Sequence, residues 1–335
     1  MTATLPELAT DVILQVRDLA VEIALPRREP IRPVRGVSFD VRRGRRLGIV
    51  GESGSGKTLT ALSLMRLLPP GARIAGGRIL LGGRDLASVS EREMALVRGG
   101  WISTVYQDPM SSLNPLMTVG AQISEAIAAH EPVGKREARA RTIDVLGDVG
   151  LPQPERRLDD HPHQLSGGMR QRVMIAMAIC TNPEVLIADE PTTALDVTTQ
   201  SRIMDMLGRI VEERRLGVIL ITHDLGLAAS FCDDIDVMYA GRIVESGSAA
   251  SVLRSPAHPY SEALLESMCG LDRDVTKPIA AISGQPPVPH RLPPGCPFHP
   301  RCRHAQERCV EEVPQPAPVR RRTVECHFPV GGPGA

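Results

Sequence analysis

The sequence predicts an α/β fold, a mainly parallel sheet covered by helices on both faces, followed by a smaller proline-rich appendage. Three observations predict it. Short apolar runs of strand length recur through the first 250 or so of 335 residues. Segments with helical periodicity alternate with them, the pattern of βαβ units. Near residue 250 the alternation stops and prolines accumulate, six of them at 286, 287, 289, 293, 294 and 297, too many for a helix or a central strand. A chain of this length accommodates one catalytic-size domain and an appendage, here assigned to residues 1–250 and 251–335.

The elements follow in order. Strands are expected at 46–50, 102–106, 185–188, 217–221 and 235–239. Val185-Leu186-Ile187-Ala188 and Val218-Ile219-Leu220-Ile221 are apolar at every position, as strands buried on both faces are. Helices are expected at 57–68, 119–129, 135–149, 169–180, 199–213, 225–232 and 260–268. Residues 109–164 interrupt the alternation with helices and proline turns and read as a helical insertion. There is no internal repeat.

Composition excludes several classes. With 42% hydrophobic and 23% charged residues the chain has the make-up of a soluble domain. Its formal net charge of zero provides no basic field for nucleic acid. No apolar run reaches the roughly 20 residues of a membrane span. Met1 to Leu8 lacks the basic and apolar regions of a signal peptide, so a cytoplasmic location is expected. Only Lys57, Lys135 and Lys277 are lysines among 39 basic residues. The arginine excess reads as coding bias, and it makes the position of Lys57 more telling.

Lys57 stands in Gly51-Glu52-Ser53-Gly54-Ser55-Gly56-Lys57-Thr58, a G-x-x-x-x-G-K-[ST] pattern with a strand before it and a helix after it. In that context glycines let backbone N–H groups curl around phosphate oxygens, and the helix N-terminus adds its dipole. Lys57 would reach the β- and γ-phosphates and Thr58 would ligate magnesium. Downstream, the 185–188 strand ends in Asp189 and Glu190. Asp189 is suited to magnesium, and Glu190 to deprotonating the attacking water, a role worth about 10²–10⁴-fold.

Other segments complete a set. Gln107 follows the 102–106 strand, and Leu165-Ser166-Gly167-Gly168-Met169-Arg170-Gln171-Arg172 opens a helix. Asp196 lies six residues after Glu190, and His223 follows the 217–221 strand. In this order the set closely resembles an ABC-type ATPase over roughly residues 12–255. The resemblance implies an ABC-type P-loop NTPase fold: a RecA-like core with a mixed sheet, a helical subdomain near 109–164, and a small Cys-rich C-terminal extension. It implies ATP and Mg2+ as ligands, held by Gly51 through Thr58 with Thr60, Gln107, Asp189 and Ile23. Glu190, His223, Gln107 and Lys57 would form the catalytic set. Two such domains would stack head to tail, so that Ser166, Gly167, Gly168, Met169 and Asp196 act on the partner's ATP.

Two departures stand out. Met169 replaces the common fifth signature residue, Gln, and Ile23, in a strand expected near residues 21–24, occupies the position of an adenine-stacking aromatic, about 28 residues before Gly51. Stacking adds about 0.5–1.5 kcal/mol beyond burial, so either weaker adenine affinity or apolar contact in its place is expected. Asp108-Pro109-Met110-Ser111-Ser112-Leu113-Asn114-Pro115 resembles the segment after the Gln loop in dipeptide and oligopeptide permease ATPases, where it contributes to the groove gripping a membrane subunit.

That branch implies the expected function: powering import of dipeptides or oligopeptides at the cytoplasmic face of the membrane. Expected partners are a second ATPase, a paralogue rather than an identical copy, two transmembrane permease subunits, and through them an extracytoplasmic substrate-binding protein; nucleic acid is not among them. A nickel or other metal importer is the alternative. Non-transport ABC ATPases are a further class, disfavoured by a single cassette with only about 110 residues between Thr58 and Ser166.

Cysteines divide the chain. Cys180, Cys232 and Cys269 sit alone in apolar surroundings and read as small hydrophobes. Cys296, Cys302, Cys309 and Cys326 crowd the tail as C-x5-C-x6-C-x16-C. In a cytosolic chain this suggests metal rather than disulfides. The absence of C-x2-C pairs suits an iron–sulfur cluster better than zinc, and the resembled extension carries a [4Fe–4S] cluster in some members. Zinc, with His299, His304 and His327 as further ligands, and unligated thiols stay open. Arg320-Arg321-Arg322 reads as a solvated face or rim contact, with an anchor to lipid head groups as the lesser alternative.

Overall fold

The computed structural model describes residues 11–26, 29–193, 195–267 and 282–331. Cys269 lies outside them. In chain order, β1 (Val12–Ile23), β2 (Ile31–Arg42) and β3 (Arg46–Val50) lead to α1 (Lys57–Leu64). Next come β4 (Ala72–Leu81), β5 (Arg84–Asp85), α2 (Glu91–Val97) and β6 (Ile102–Val105). Residues 109–164 then contain only helical elements: α3 (Pro109–Ser112), α4 (Val119–His130), α5 (Lys135–Asp148), α6 (Pro154–Arg157) and a 3-10 turn, Pro162–Gln164. They are followed by α7 (Gly167–Ile179), β7 (Val185–Asp189), α8 (Val197–Arg214), β8 (Gly217–Thr222), α9 (Leu225–Phe231), β9 (Asp234–Tyr239) and β10 (Arg242–Ser248). The tail adds α10 (Ala249–Arg254), α11 (Pro259–Glu266), a 3-10 turn at His299–Arg301, α12 (Glu307–Glu311), β11 (Ala317–Val319) and β12 (Arg322–Val324). None of the described helices is long and apolar enough to cross a membrane.

The chain forms two compact units. One comprises the chain as far as Leu14, Val41–Arg45 and Leu81–Leu220; the other comprises Gln15–Asp40, Arg46–Leu80 and the chain from Ile221 onward.

In the first unit β6 and β7 pair in parallel, from Ile102 opposite Val185 to Val105 opposite Ala188, with β8 on the far side of β7. Val185, Leu186, Ile187 and Ala188 are all fully buried, which is why no polar residue interrupts the strand. On α8, Ile203, Met204, Leu207, Ile210 and Val211 form the buried stripe, the spacing an amphipathic helix requires.

In the second unit the strand order is β11-β12-β10-β9-β3. β3 and β9 run parallel, with Ile49 opposite Asp236. β10 is antiparallel to β9, with an irregularity between Ile243 and Glu245, so the sheet is mixed rather than mainly parallel. β12 pairs antiparallel with β10, and β11 caps the edge, where Pro318 is tolerated because an edge strand can spare a donor. The tail therefore extends the sheet that carries the phosphate loop. β1, β2 and β4 belong to a separate sheet, in the order β2-β1-β4.

Helix α1 ends at Leu64, four residues short of expectation. Arg66 takes a left-handed φ of 50°, and Leu67 N–H reaches back to the Leu62 carbonyl at 2.9 Å, the closure of a Schellman-type end. Pro69 and Pro70 then forbid helical continuation.

Candidate functional site

The phosphate loop leaves β3 and closes on α1. Gly56 caps that helix with φ 107° and no side-chain cap, so the first-turn amides keep their capacity for an anion. A Cβ on Gly56 would lie 2.7 Å from the Pro33 carbonyl oxygen, and only glycine fits. Lys57 is 6% exposed. Its Nζ donates to the carbonyls of Gly51 at 2.7 Å and Glu52 at 2.9 Å, and sits 3.5 Å from Ser55 Oγ, spanning the loop it closes. Thr60 Oγ1 donates to the Gly56 carbonyl at 3.0 Å, and Ser55 is buried. Thr58, Ser53 and Gly54 are exposed.

Glu52 has a different part from its neighbours. Its N–H donates to Tyr260 Oη at 2.9 Å. Its carboxylate accepts two bonds from Arg301, at 2.7 and 2.9 Å. It is a strut of the loop. In the same unit His223 is exposed beyond β8, and Ile23 is half-buried at the end of β1.

In the other unit Glu190 follows β7 in a left-handed conformation, φ 47°. A non-glycine residue there carries strain of about 1–3 kcal/mol, the kind retained at functional positions. Its Oε2 accepts from Gln107 Nε2 at 3.1 Å and Thr193 Oγ1 at 3.0 Å. Gln107 and Glu190, 83 residues apart, are thus brought together. Asp189 is half-buried at the strand end. Ser166 caps α7, its Oγ accepting from Met169 N–H at 3.4 Å. Ser166 and Gly167 are exposed, and Gly168 and Met169 half-buried. Asp196 caps α8 through Thr199 N–H at 2.9 Å, and that bond holds its carboxyl below the usual range.

The cysteine-rich segment forms a lobe on the second unit. Cys296, Cys302, Cys309 and Cys326 line one cavity together with Phe298, Phe328, His258 and His299. Gly295 makes this possible. It has φ 62°, and a Cβ there would meet the Cys309 carbonyl oxygen at 2.4 Å, while Cys296 N–H donates to that same oxygen at 2.8 Å. Burial raises the Cys296 thiol and pushes Cys302 up to about 11 and Cys326 up to about 12, with the other cysteines' charges adding to each rise. Among the described residues no group of three or more His, Cys, Asp or Glu is arranged to hold a metal ion. Neither the expected iron–sulfur cluster nor the zinc alternative, which needs four donors around one ion, finds such a group among them. Cys180 and Cys232 are buried, their thiols pushed up to about 12 by desolvation, in keeping with small hydrophobes.

Ion pairs lock the lobe to the strands. Arg322 is buried against Glu245 at 2.9 Å, and Glu245 also accepts from the N–H groups of Ala257 and His258, both at 2.9 Å. Arg242 grips Glu325 through two bonds, at 2.7 and 3.0 Å. The solvated face expected of the three arginines therefore holds for exposed Arg320 and Arg321 but not for Arg322. The pairing of β12 with β10 turns that side chain inward, and only a buried carboxylate makes this tolerable. Arg301, Glu245 and Tyr260 carried no local signal, because each acts on a residue far along the chain.

Comparison with known protein families defines the chain as an ABC-transporter ATPase cassette, an ATP hydrolase. Residues 34–193 match the family model described as ABC transporter, and residues 244–309 the one described as oligopeptide/dipeptide transporter, C-terminal region. The chain belongs to the family of oligopeptide and dipeptide transport ATP-binding proteins. It is 46% identical to the oligopeptide transport ATP-binding protein OppD of Salmonella typhimurium, over 98% of this chain and 97% of that one. It is 44% identical to the dipeptide transport ATP-binding protein DppD of Escherichia coli, over 91% and 93%. Among solved structures, a dimeric ATP-binding cassette in a post-hydrolysis state with ADP and Pi superposes with a TM-score of 0.63 at 26% identity, over 71% of this chain and 99% of that one. The cbiO1 protein of Clostridium perfringens, part of an ABC transporter complex, gives 0.62 at 28% identity over 72% and 90%.

Proposed function

We propose that this chain hydrolyses ATP to power peptide import through a membrane permease. The peptide names of its relatives support that cargo and do not favour the nickel alternative. The observation that carries the catalytic reading is Glu190, a carboxylate fixed in a strained backbone by Gln107 and Thr193. In this reading Lys57 and the α1 amides bind the β- and γ-phosphates, and Ile23 offers apolar contact to adenine. Glu190 takes the proton of the attacking water, and His223 contacts the γ-phosphate. Thr58, Asp189 and Gln107 provide the oxygen donors a magnesium ion prefers; when bound, that ion neutralises phosphate charge.

The active form is a head-to-tail dimer with a paralogous ATPase, in which Ser166, Gly167, Gly168, Met169 and Asp196 face the partner's ATP. The solved cassette with ADP and Pi is dimeric, which supports pairing of two such domains. Two permease subunits and an extracytoplasmic binding protein complete the assembly at the cytoplasmic face. The division at residue 250 separates cassette from extension in function rather than in packing. Replacing Glu190 with Gln should leave ATP binding intact, lower turnover by about 10²–10⁴-fold and trap the closed dimer in size-exclusion chromatography. Near-normal turnover would refute the assignment.

The cysteine-lined cavity supports a [4Fe–4S] cluster on Cys296, Cys302, Cys309 and Cys326. Burial raises the thiols of Cys296, Cys302 and Cys326, which makes them poor nucleophiles, whereas a metal centre would hold the cysteines around it as thiolates. Anaerobically purified protein should be brown and lose its visible absorbance on changing Cys296 or Cys302 to Ser. A colourless preparation with stoichiometric zinc would overturn the cluster.

A further inference from the structure

Both groups that hold Glu52 from outside its own loop come from beyond residue 250. Tyr260, on α11, accepts the Glu52 N–H, and Arg301, on the turn between Cys296 and Cys302, takes its carboxylate in a two-bond fork. The Arg301 side chain is 4% exposed, and two further donors are engaged: Nε donates to the Ser283 carbonyl at 2.9 Å, and Nη1 lies 3.4 Å from Tyr239 Oη.

The surroundings are rigid. Tyr239, Tyr260 and Phe298 meet with ring centroids 4.5 to 5.3 Å apart, and all three are buried. Phe298 also lines the cysteine cavity. The chain from that cavity to the loop is short. Cys296 carbonyl accepts His299 N–H at 3.0 Å, Phe298 carbonyl accepts Arg301 N–H at 2.9 Å, and Cys302 closes the turn on His299 at 3.2 Å.

The charge logic gives the contact a purpose. Glu52 is a carboxylate inside a loop built for polyanions, where it would repel phosphate. Paired in a fork with a buried guanidinium, it is both neutralised and fixed in place. Its carbonyl can then hold Lys57.

We propose that Arg301 is a positioning residue for the nucleotide. Reaching from the cysteine-lined lobe, it clamps Glu52 and holds the phosphate loop in its binding form, so that ATP affinity depends on the lobe. The proposal rests on the reading of Gly51–Thr58 as the ATP site.

The test titrates the full-length chain with a fluorescent, non-hydrolysable ATP analogue. Arg301→Gln should weaken binding about tenfold, within the range usual for coupled sites, with the number of binding sites unchanged. A merely structural defect would lose sites instead and leave the affinity of the rest untouched. Arg301→Lys, which keeps the charge but not the fork, should fall between the two. Glu52→Gln should weaken binding as well, and the double variant Glu52→Gln with Arg301→Gln should be no weaker than the worse single variant. Wild-type affinity in folded Arg301→Gln, a loss of sites alone in that variant, or additive effects in the double variant would overturn the proposal. Lys57→Ala distinguishes the underlying reading: if that variant binds the analogue as the wild type does, the loop assignment itself falls, and the role of Arg301 with it.

Discussion

Lys57 and Thr60 are held in the phosphate loop by bonds that span two to six residues, whereas Arg301, Arg322 and Glu325 tie the cysteine lobe down across 77 to 249 residues. Both regions are irregular backbone, yet the loop supplies most of its own restraints, with Glu52 alone held from Tyr260 and Arg301, whereas the lobe borrows its restraints. The loop can do so because glycines permit the turn and α1 propagates from it. The lobe is rich in proline and has little apolar surface of its own, so it depends on a few aromatic contacts and on buried ion pairs. Such pairs resist removal of one partner far more than they add when whole. The lesson is that the lobe is sensitive at its distant anchors, and the loop within its own eight residues and at the one fork it takes from Arg301.

The largest test of this contrast is Glu245→Ala. It leaves Arg322 buried without its carboxylate and two N–H groups without an acceptor, and should cost about 3–5 kcal/mol, read as a lower midpoint in urea unfolding. A loss below about 1 kcal/mol, the value of an exposed pair, would break the comparison. Next in size is Lys57→Ala, which removes charge-assisted bonds worth about 1.5–3 kcal/mol each. ATP affinity should fall by roughly 100-fold, near 3 kcal/mol, and the melting temperature should drop as the loop loses its Lys57 bonds; calorimetric titration and melting measure the two separately. The smallest is Gly295→Ala, at the one point where the lobe's own backbone matters. Left-handed strain of about 1–3 kcal/mol, together with the close Cys309 carbonyl, should lower the melting temperature and disturb the cysteine cavity without altering nucleotide affinity to the same degree.

Much of the cassette was legible in the residues. Five expected strands and six expected helices recur within a few positions, because fully apolar strands and an amphipathic helix such as α8 declare their burial locally. The β1, β2, β4 sheet was not expected apart from the segment near Ile23, since polar residues and glycines interrupt its strands. β11 and β12 escaped for a similar reason: three-residue strands carry too few side chains to show a period.

Sequence alone determined the chemistry that short spacing encodes. The glycine-lysine loop, the acids after β7 and the serine that caps α7 all act on neighbours within a turn, so residue type and interval suffice. Tertiary structure alone decided what depends on chain segments meeting. It set the left-handed twist at Glu190 and its bond to Gln107, the inward turn of Arg322, the gathering of four cysteines about one cavity, and the fork from Arg301 to Glu52. The physical reason is range. A cap or a phosphate loop is stabilised by adjacent backbone groups, whereas a buried charge is tolerable only where folding has brought its partner from elsewhere in the chain.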